Sequence, residues 1–131
     1  MLVLLDLSKA FDCVHHDLLL CKLIHLGFSE SAVKWFQSYL DSRRHRVFVS
    51  NDQVSEWADI MTGVPQGSVL GPLLFLIYLF DLPKVFKSCF YLTYADDVQL
   101  YINFPIGEFK TYLDLLICDI VNTIIFLKGI T

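Results

Sequence analysis

The sequence contains no uninterrupted run of about 20 apolar residues, the length a bilayer crossing requires, so no membrane-spanning helix is expected. Its most apolar stretches break early: residues 69–80 carry Gly71 and Pro72 and stop at Asp81, and residues 113–127 contain Asp114 and Asp119. Met1 leads to Asp6 without a basic segment, so no secretory leader is expected and the chain reads as intracellular. Close cysteine pairs are also missing. Cys13, Cys21, Cys89 and Cys118 lie scattered among apolar neighbours, which argues for reduced thiols over a disulfide framework or a structural zinc site.

Charge is scarce, at 18% of residues against roughly 25% in ordinary globular domains. The balance is acidic, with 10 Lys and Arg, 14 Asp and Glu, and a net charge of −4. An autonomous nucleic-acid binder draws affinity from neutralising phosphates, so any grip on a polynucleotide must come mostly from elsewhere. Only Arg43, Arg44 and Arg46, with His45 among them, form a dense basic cluster. That cluster suits a weak backbone contact, and equally a solvated helix end, where positive charge complements the dipole. Hydrophobic residues make up 55%, above the usual 45 to 50% or so, which implies faces meant to be covered and a tendency to self-associate. Repeats, linkers and low-complexity segments are absent, and 131 residues fit one domain.

What is present alternates between strand and helix signals. Residues 2–7 form a short apolar run that delivers Asp6 at its end. Asp17 is expected to cap a helix over 18–26 closed by Gly27, and Ser29 a second over 32–40 whose Val33, Phe36 and Leu40 share the inward face. Residues 46–50 and 54–60 read as strands around an Asn51-Asp52 turn. After a loop at 62–68, Pro72 marks the first turn of a helix that Leu82-Pro83 ends. Residues 89–94 and 98–102 read as strands joined through Ala95-Asp96-Asp97, with Val98, Leu100 and Ile102 on one face. A last helix over 108–128 would bury Phe109, Tyr112, Leu113, Leu116, Ile120 and Ile124, leaving Lys110, Asp114, Cys118 and Asn122 outside. The order implies an α+β fold with a mostly antiparallel sheet.

Asp6 at a strand end and Asp96-Asp97 at a hairpin tip are places where a sheet can present carboxylates without burying their charge. If they converge, they form a cradle of hard oxygen ligands suited to Mg²⁺. Two carboxylates about 5 Å apart at an effective dielectric near 20 repel by roughly 3 kcal/mol, which favours an ion between them. Each aspartate singly also fits a plain turn. A tip of Asp-Asp without glycine weakens that simpler reading, because tight hairpins prefer Asn-Gly or Asp-Gly. His15-His16-Asp17 reads as a helix start rather than a metal site, since no third ligand is evident.

Three longer stretches carry a resemblance. Leu4-Leu5-Asp6-Leu7-Ser8-Lys9-Ala10-Phe11-Asp12-Cys13-Val14-His15, within 2–15, resembles motif A of the reverse transcriptases of non-LTR (LINE-type) retrotransposons. Gly63-Val64-Pro65-Gln66-Gly67-Ser68, within 62–76, resembles their motif B, and Tyr94-Ala95-Asp96-Asp97, within 92–99, their motif C. The resemblance implies a palm-type antiparallel sheet packed against helices over 1–131, beginning at motif A without fingers and ending before motif D and the thumb. It implies an RNA-directed DNA polymerase core with RNA template, DNA primer and dNTP as partners and two Mg²⁺, or Mn²⁺, as cofactors. Asp6, Asp96 and Asp97 match the catalytic metal ligands, Asp96 more directly than Asp97. Leu7 and the Lys9 and Ala10 amides match the triphosphate contacts, Phe11 the steric gate under the sugar, and Gln66 and Gly67 the nucleotide- and template-positioning loop. The isolated chain is expected to be inactive. The alternative is a catalytically idle retrotransposon remnant acting as an interaction module.

Overall fold

The computed structural model describes residues 1–49 and 53–130. Alternation at the start builds β1 (Leu2–Asp6), with Leu2, Leu4 and Asp6 exposed and Val3 and Leu5 turned to the core. β1 pairs antiparallel with the second strand of a hairpin formed by β6 (Phe90–Tyr94) and β7 (Asp97–Tyr101), giving the order β1-β7-β6. Val98, Leu100 and Ile102 are buried, as the period-2 pattern requires. On the other face the ladder aligns Leu2, Tyr101 and Phe90 in one row and Leu4, Gln99 and Leu92 in the next. Leu2, Leu4, Phe90 and Leu92 there are all more than half exposed.

Helices cover the inner face. α1 (His16–His25) and α2 (Glu30–Leu40) form the expected hairpin. α1 closes through Gly27 N–H to Ile24 and Phe28 N–H to Leu23, a Schellman ending, and Ser29 Oγ caps α2 by accepting from Ala32. The Asp17 cap is not formed: α1 begins earlier, after His15, and Asp17 lies in its first turn, where its charge still complements the dipole. α3 (Gly71–Tyr78) carries Pro72 in its first turn and stops before Leu82-Pro83, which form a separate 3₁₀ turn at Leu82–Val85. Lys22, buried in α1, donates to the Tyr78 carbonyl at 2.5 Å and to Asp81 at 2.6 Å, fastening α1 to the end of α3. Between α2 and α3 runs a long hairpin of two short ladders, β2 (Arg44–His45) with β5 (Ala58–Asp59) and β3 (Phe48–Val49) with β4 (Gln53–Val54). The expected Asn51-Asp52 turn lies outside the described residues.

α4 (Phe109–Ile130) turns Tyr112, Leu116 and Ile120 inward as expected, with Phe126 and Leu127 also against the core. Its inner face also takes in buried Asp119 and Thr123, and it leaves the expected Phe109 and Ile124 exposed. The reason is polar. The Asp119 carboxylate accepts backbone N–H groups from Lys87 (3.1 Å), Ser88 (2.8 Å) and Cys89 (2.9 Å), which lead directly into β6. Among the described residues no helix is long and apolar enough to cross a membrane.

Candidate active site

Pairing of β1 with β7 sets Asp6 directly opposite Asp97, and Asp97 opposite Tyr94. Cross-strand partners share a face of the sheet, so the Asp6 and Asp97 carboxylates project from the same, exposed side. Asp96 sits beside them in the two-residue turn that closes the hairpin. The turn's first residue, Ala95, has φ 52, a left-handed conformation that hairpins usually assign to Gly or Asn. Among the described residues none of the three carboxylates has a salt bridge.

The donor set is all hard oxygen, which fits Mg²⁺. Among the described residues no three His, Cys, Asp or Glu side chains stand close enough together to form a ligand group. After Asp6 the chain passes Leu7 and Ser8 into a strained turn, where Lys9 is left-handed at φ 56. Ala10 N–H donates to the Leu7 carbonyl at 3.1 Å, so this amide is engaged inside the turn. Phe11 stacks on buried Phe75 with ring centroids 4.4 Å apart and is itself only partly buried, so it is both a core contact and a surface.

The end of that turn is fastened to the loop before α3. Val64 N–H donates to Phe11, Gly63 N–H to Val14 and Thr62 Oγ1 to the Asp12 carbonyl, all within 2.9 Å. His16 Nε2 lies 2.8 Å from the Gly63 carbonyl, and since a carbonyl only accepts, this nitrogen carries the proton. Gly63 has φ +90, and a Cβ there would lie 2.9 Å from Asp12 Cα, so glycine is required. At Gly67, φ +78, a Cβ would meet nothing within 4 Å; the flank of this loop is open.

The arginines stand on the hairpin, not in this cluster. Arg44 pairs with Asp59 at 3.0 Å, Arg43 reaches the Tyr39 carbonyl, and Arg46 lies over Trp57. Two residues that matter for the geometry escaped the sequence reading, Asp12 and Asp119. Gln66 Nε2 donates to Asp12 Oδ1 at 2.9 Å, and Asp119 holds the start of β6. For Asp12, its place inside motif A is the one signal sequence offered.

A sequence model of the family described as reverse transcriptase (RNA-dependent DNA polymerase) matches residues 1–117. The chain is 40% identical over 105 residues to a probable RNA-directed DNA polymerase from transposon BS of Drosophila melanogaster, covering 75% of this chain and 11% of that protein. It is 38% identical over 98 residues to the probable RNA-directed DNA polymerase from transposon X-element of the same species, covering 72% and 11%. The polymerase of mobile element jockey is 37% identical over 103 residues, covering 73% and 11%. The chain therefore spans 11% of the length of these relatives.

Proposed function

The chain belongs to the reverse transcriptase family, and from that premise we propose that it is the palm portion of an RNA-directed DNA polymerase. The observation that carries this reading is the register that sets Asp6 opposite Asp97 at the tip of the β6-β7 hairpin. In the reaction a primer 3′-oxygen attacks the α-phosphorus of a dNTP, the bond to pyrophosphate breaks, and the hydroxyl proton leaves to solvent. Asp6, Asp96 and Asp97 are the side chains that would hold two Mg²⁺. Bound there, the ions would supply positive charge to the attacking and leaving oxygens.

The chain's other residues bind and exclude. Phe11, held by Phe75, offers its exposed part to the sugar of the incoming nucleotide, and Gln66 and Gly67 line the approach of base and template. In a polymerase completed with fingers and thumb, Phe11→Val is expected to raise the use of ribonucleotides by roughly tenfold or more. Relief of a steric clash of 1.4 kcal/mol corresponds to about one such factor. Competition between dNTP and NTP measures it, and unchanged discrimination would make Phe11 a core residue alone.

Without the parts that hold primer and template, the 131-residue chain is expected not to extend a primer. Positioning supplies up to roughly 7 to 11 kcal/mol of such a barrier, and a net charge of −4 gives the chain little phosphate affinity of its own. The exposed sheet face of Leu2, Leu4, Phe90 and Leu92 favours self-association of the isolated chain instead, the behaviour of an idle interaction module. The test is RNA-templated primer extension with Mg²⁺ and dNTPs, with the chain alone and with the chain joined to the flanking parts of a relative. Extension is expected only in the second case, and only with Asp96 intact. A joined enzyme whose extension survives Asp96→Ala would overturn the assignment.

A further inference from the structure

Asp12 and Gln66 come from segments 54 residues apart, yet their side chains meet at 2.9 Å beside a cleft of about 480 Å³ that both line, together with Arg43, His45 and Met61. We infer that Asp12 is a positioning residue that fixes the amide of Gln66 with its nitrogen inward, and so decides which hydrogen-bonding end of Gln66 a ligand in the cleft encounters. The chemistry is one-sided. An ionised carboxylate only accepts, so the Gln66 NH₂ must face Asp12, and the carbonyl oxygen is left as the end turned away from it.

The backbone around the pair is already fixed. Thr62, Gly63 and Val64 are hydrogen-bonded to Asp12, Val14 and Phe11, and Gly63 leaves no room between the two segments. The Asp12–Gln66 contact therefore adds nothing needed to join them; its effect falls on a side chain that is itself exposed. A glutamine without such a partner samples both amide orientations and offers donor and acceptor alternately. Held by Asp12, it offers an acceptor, which selects ligand groups that donate, such as a sugar hydroxyl or the amino group of a base. The ligand class rests on the polymerase reading, whereas the orientation of Gln66 does not.

Selective ¹⁵N-glutamine labelling of the chain tests this, because there are only four glutamines, at 37, 53, 66 and 99. The Gln66 side-chain NH₂ signals, assigned by their loss in Gln66→Asn, are expected to be displaced and ordered on the heteronuclear NOE relative to those of exposed Gln53. In Asp12→Ala they should move to the position of a free amide and lose that order, while the backbone signals of Gln37 in α2 and Gln99 in β7 stay in place. An ordered, displaced Gln66 in Asp12→Ala, or a mobile Gln66 in the unaltered chain, would overturn the inference. Should Asp12→Ala disturb Gln37 and Gln99, Asp12→Leu, which keeps side-chain bulk but not the acceptor, decides by the same signals. Addition of a template–primer with dNTP to the chain joined to the flanking parts of a relative separates the two readings: if Gln66 is ordered by Asp12 but unmoved by saturating nucleotide there, the polymerase reading fails and the positioning role stands.

Discussion

Replacing Asp119 by alanine is expected to destabilise the fold by about 3 kcal/mol, since it leaves three partly buried backbone donors at the start of β6 without their acceptor. The carboxylate is 1% exposed and takes N–H groups from Lys87, Ser88 and Cys89. A domain stable by roughly 5 to 15 kcal/mol would lose a large part of its margin, read as a lower midpoint in urea. Asp119→Asn should cost less, about 1 kcal/mol, because one oxygen can still serve most of the donors.

Acid should have a related effect. Burial alone would raise the Asp119 pKa, but the hydrogen bonds from Ser88, Lys87 and Cys89 outweigh it and hold the carboxyl below its ordinary value of 3.8. A depressed carboxylate contributes stability that is present above the unfolded pKa and lost as pH falls through the folded one, so the loss lies below about pH 4. Urea midpoints measured across that range should fall less steeply for Asp119→Asn than for the unaltered chain. Burial, followed by the hydrogen bond and charge of Asp119, also pushes the Cys89 thiol up to about 11, which leaves it protonated and unreactive at neutral pH.

The largest functional effect should come from the opposed carboxylates. In a polymerase completed with fingers and thumb, Asp6→Asn or Asp97→Asn is expected to lower nucleotidyl transfer by about 10³-fold or more, since ion-borne stabilisation of the transition state is worth several kcal/mol and each 1.36 kcal/mol is a factor of ten. Stability should move the other way. Like charges opposite each other on neighbouring strands are destabilising, and both side chains are exposed, so neutralising one should leave the melting temperature equal or higher. Activity retained in either variant, or lost only because the chain unfolds, would count against the site.

How far the sequence could be read follows from which signals were local. The strand ending at Asp6, the alternation of Val98, Leu100 and Ile102, and the Ser29 cap depend on neighbours in sequence, and each appears in the structure as expected. Alternation also dictated that Asp96 and Asp97 could not both stand opposite Asp6. Which of them does depends on the length of the turn: with Ala95 and Asp96 alone in it, Asp97 becomes the ladder partner. The inner face of α4 was legible only in part: Tyr112, Leu116 and Ile120 turn inward as expected, but apolar residues such as Leu115, Ile117, Val121 and Ile125 also occupy the outer side, and Phe109 and Ile124 lie exposed. Apolar residues on both sides blur the stripe, and the helix's rotation is set by Asp119 meeting amides about 30 residues away in the chain. The Asp12–Gln66 contact was hidden for the same reason, being a pairing across folded loops.

The most direct measurement of the metal site is terbium luminescence on the 131-residue chain at low concentration. Tb³⁺, a hard cation that takes oxygen ligands as Mg²⁺ does, should emit on excitation of Tyr94, which lies opposite Asp97 in the ladder. The expected result is sensitised emission that Mg²⁺ displaces and that falls to background when Asp6 and Asp97 are both changed to asparagine. Emission that persists undiminished in that double variant, or its absence from the unaltered chain, would contradict the assignment of these carboxylates as metal ligands.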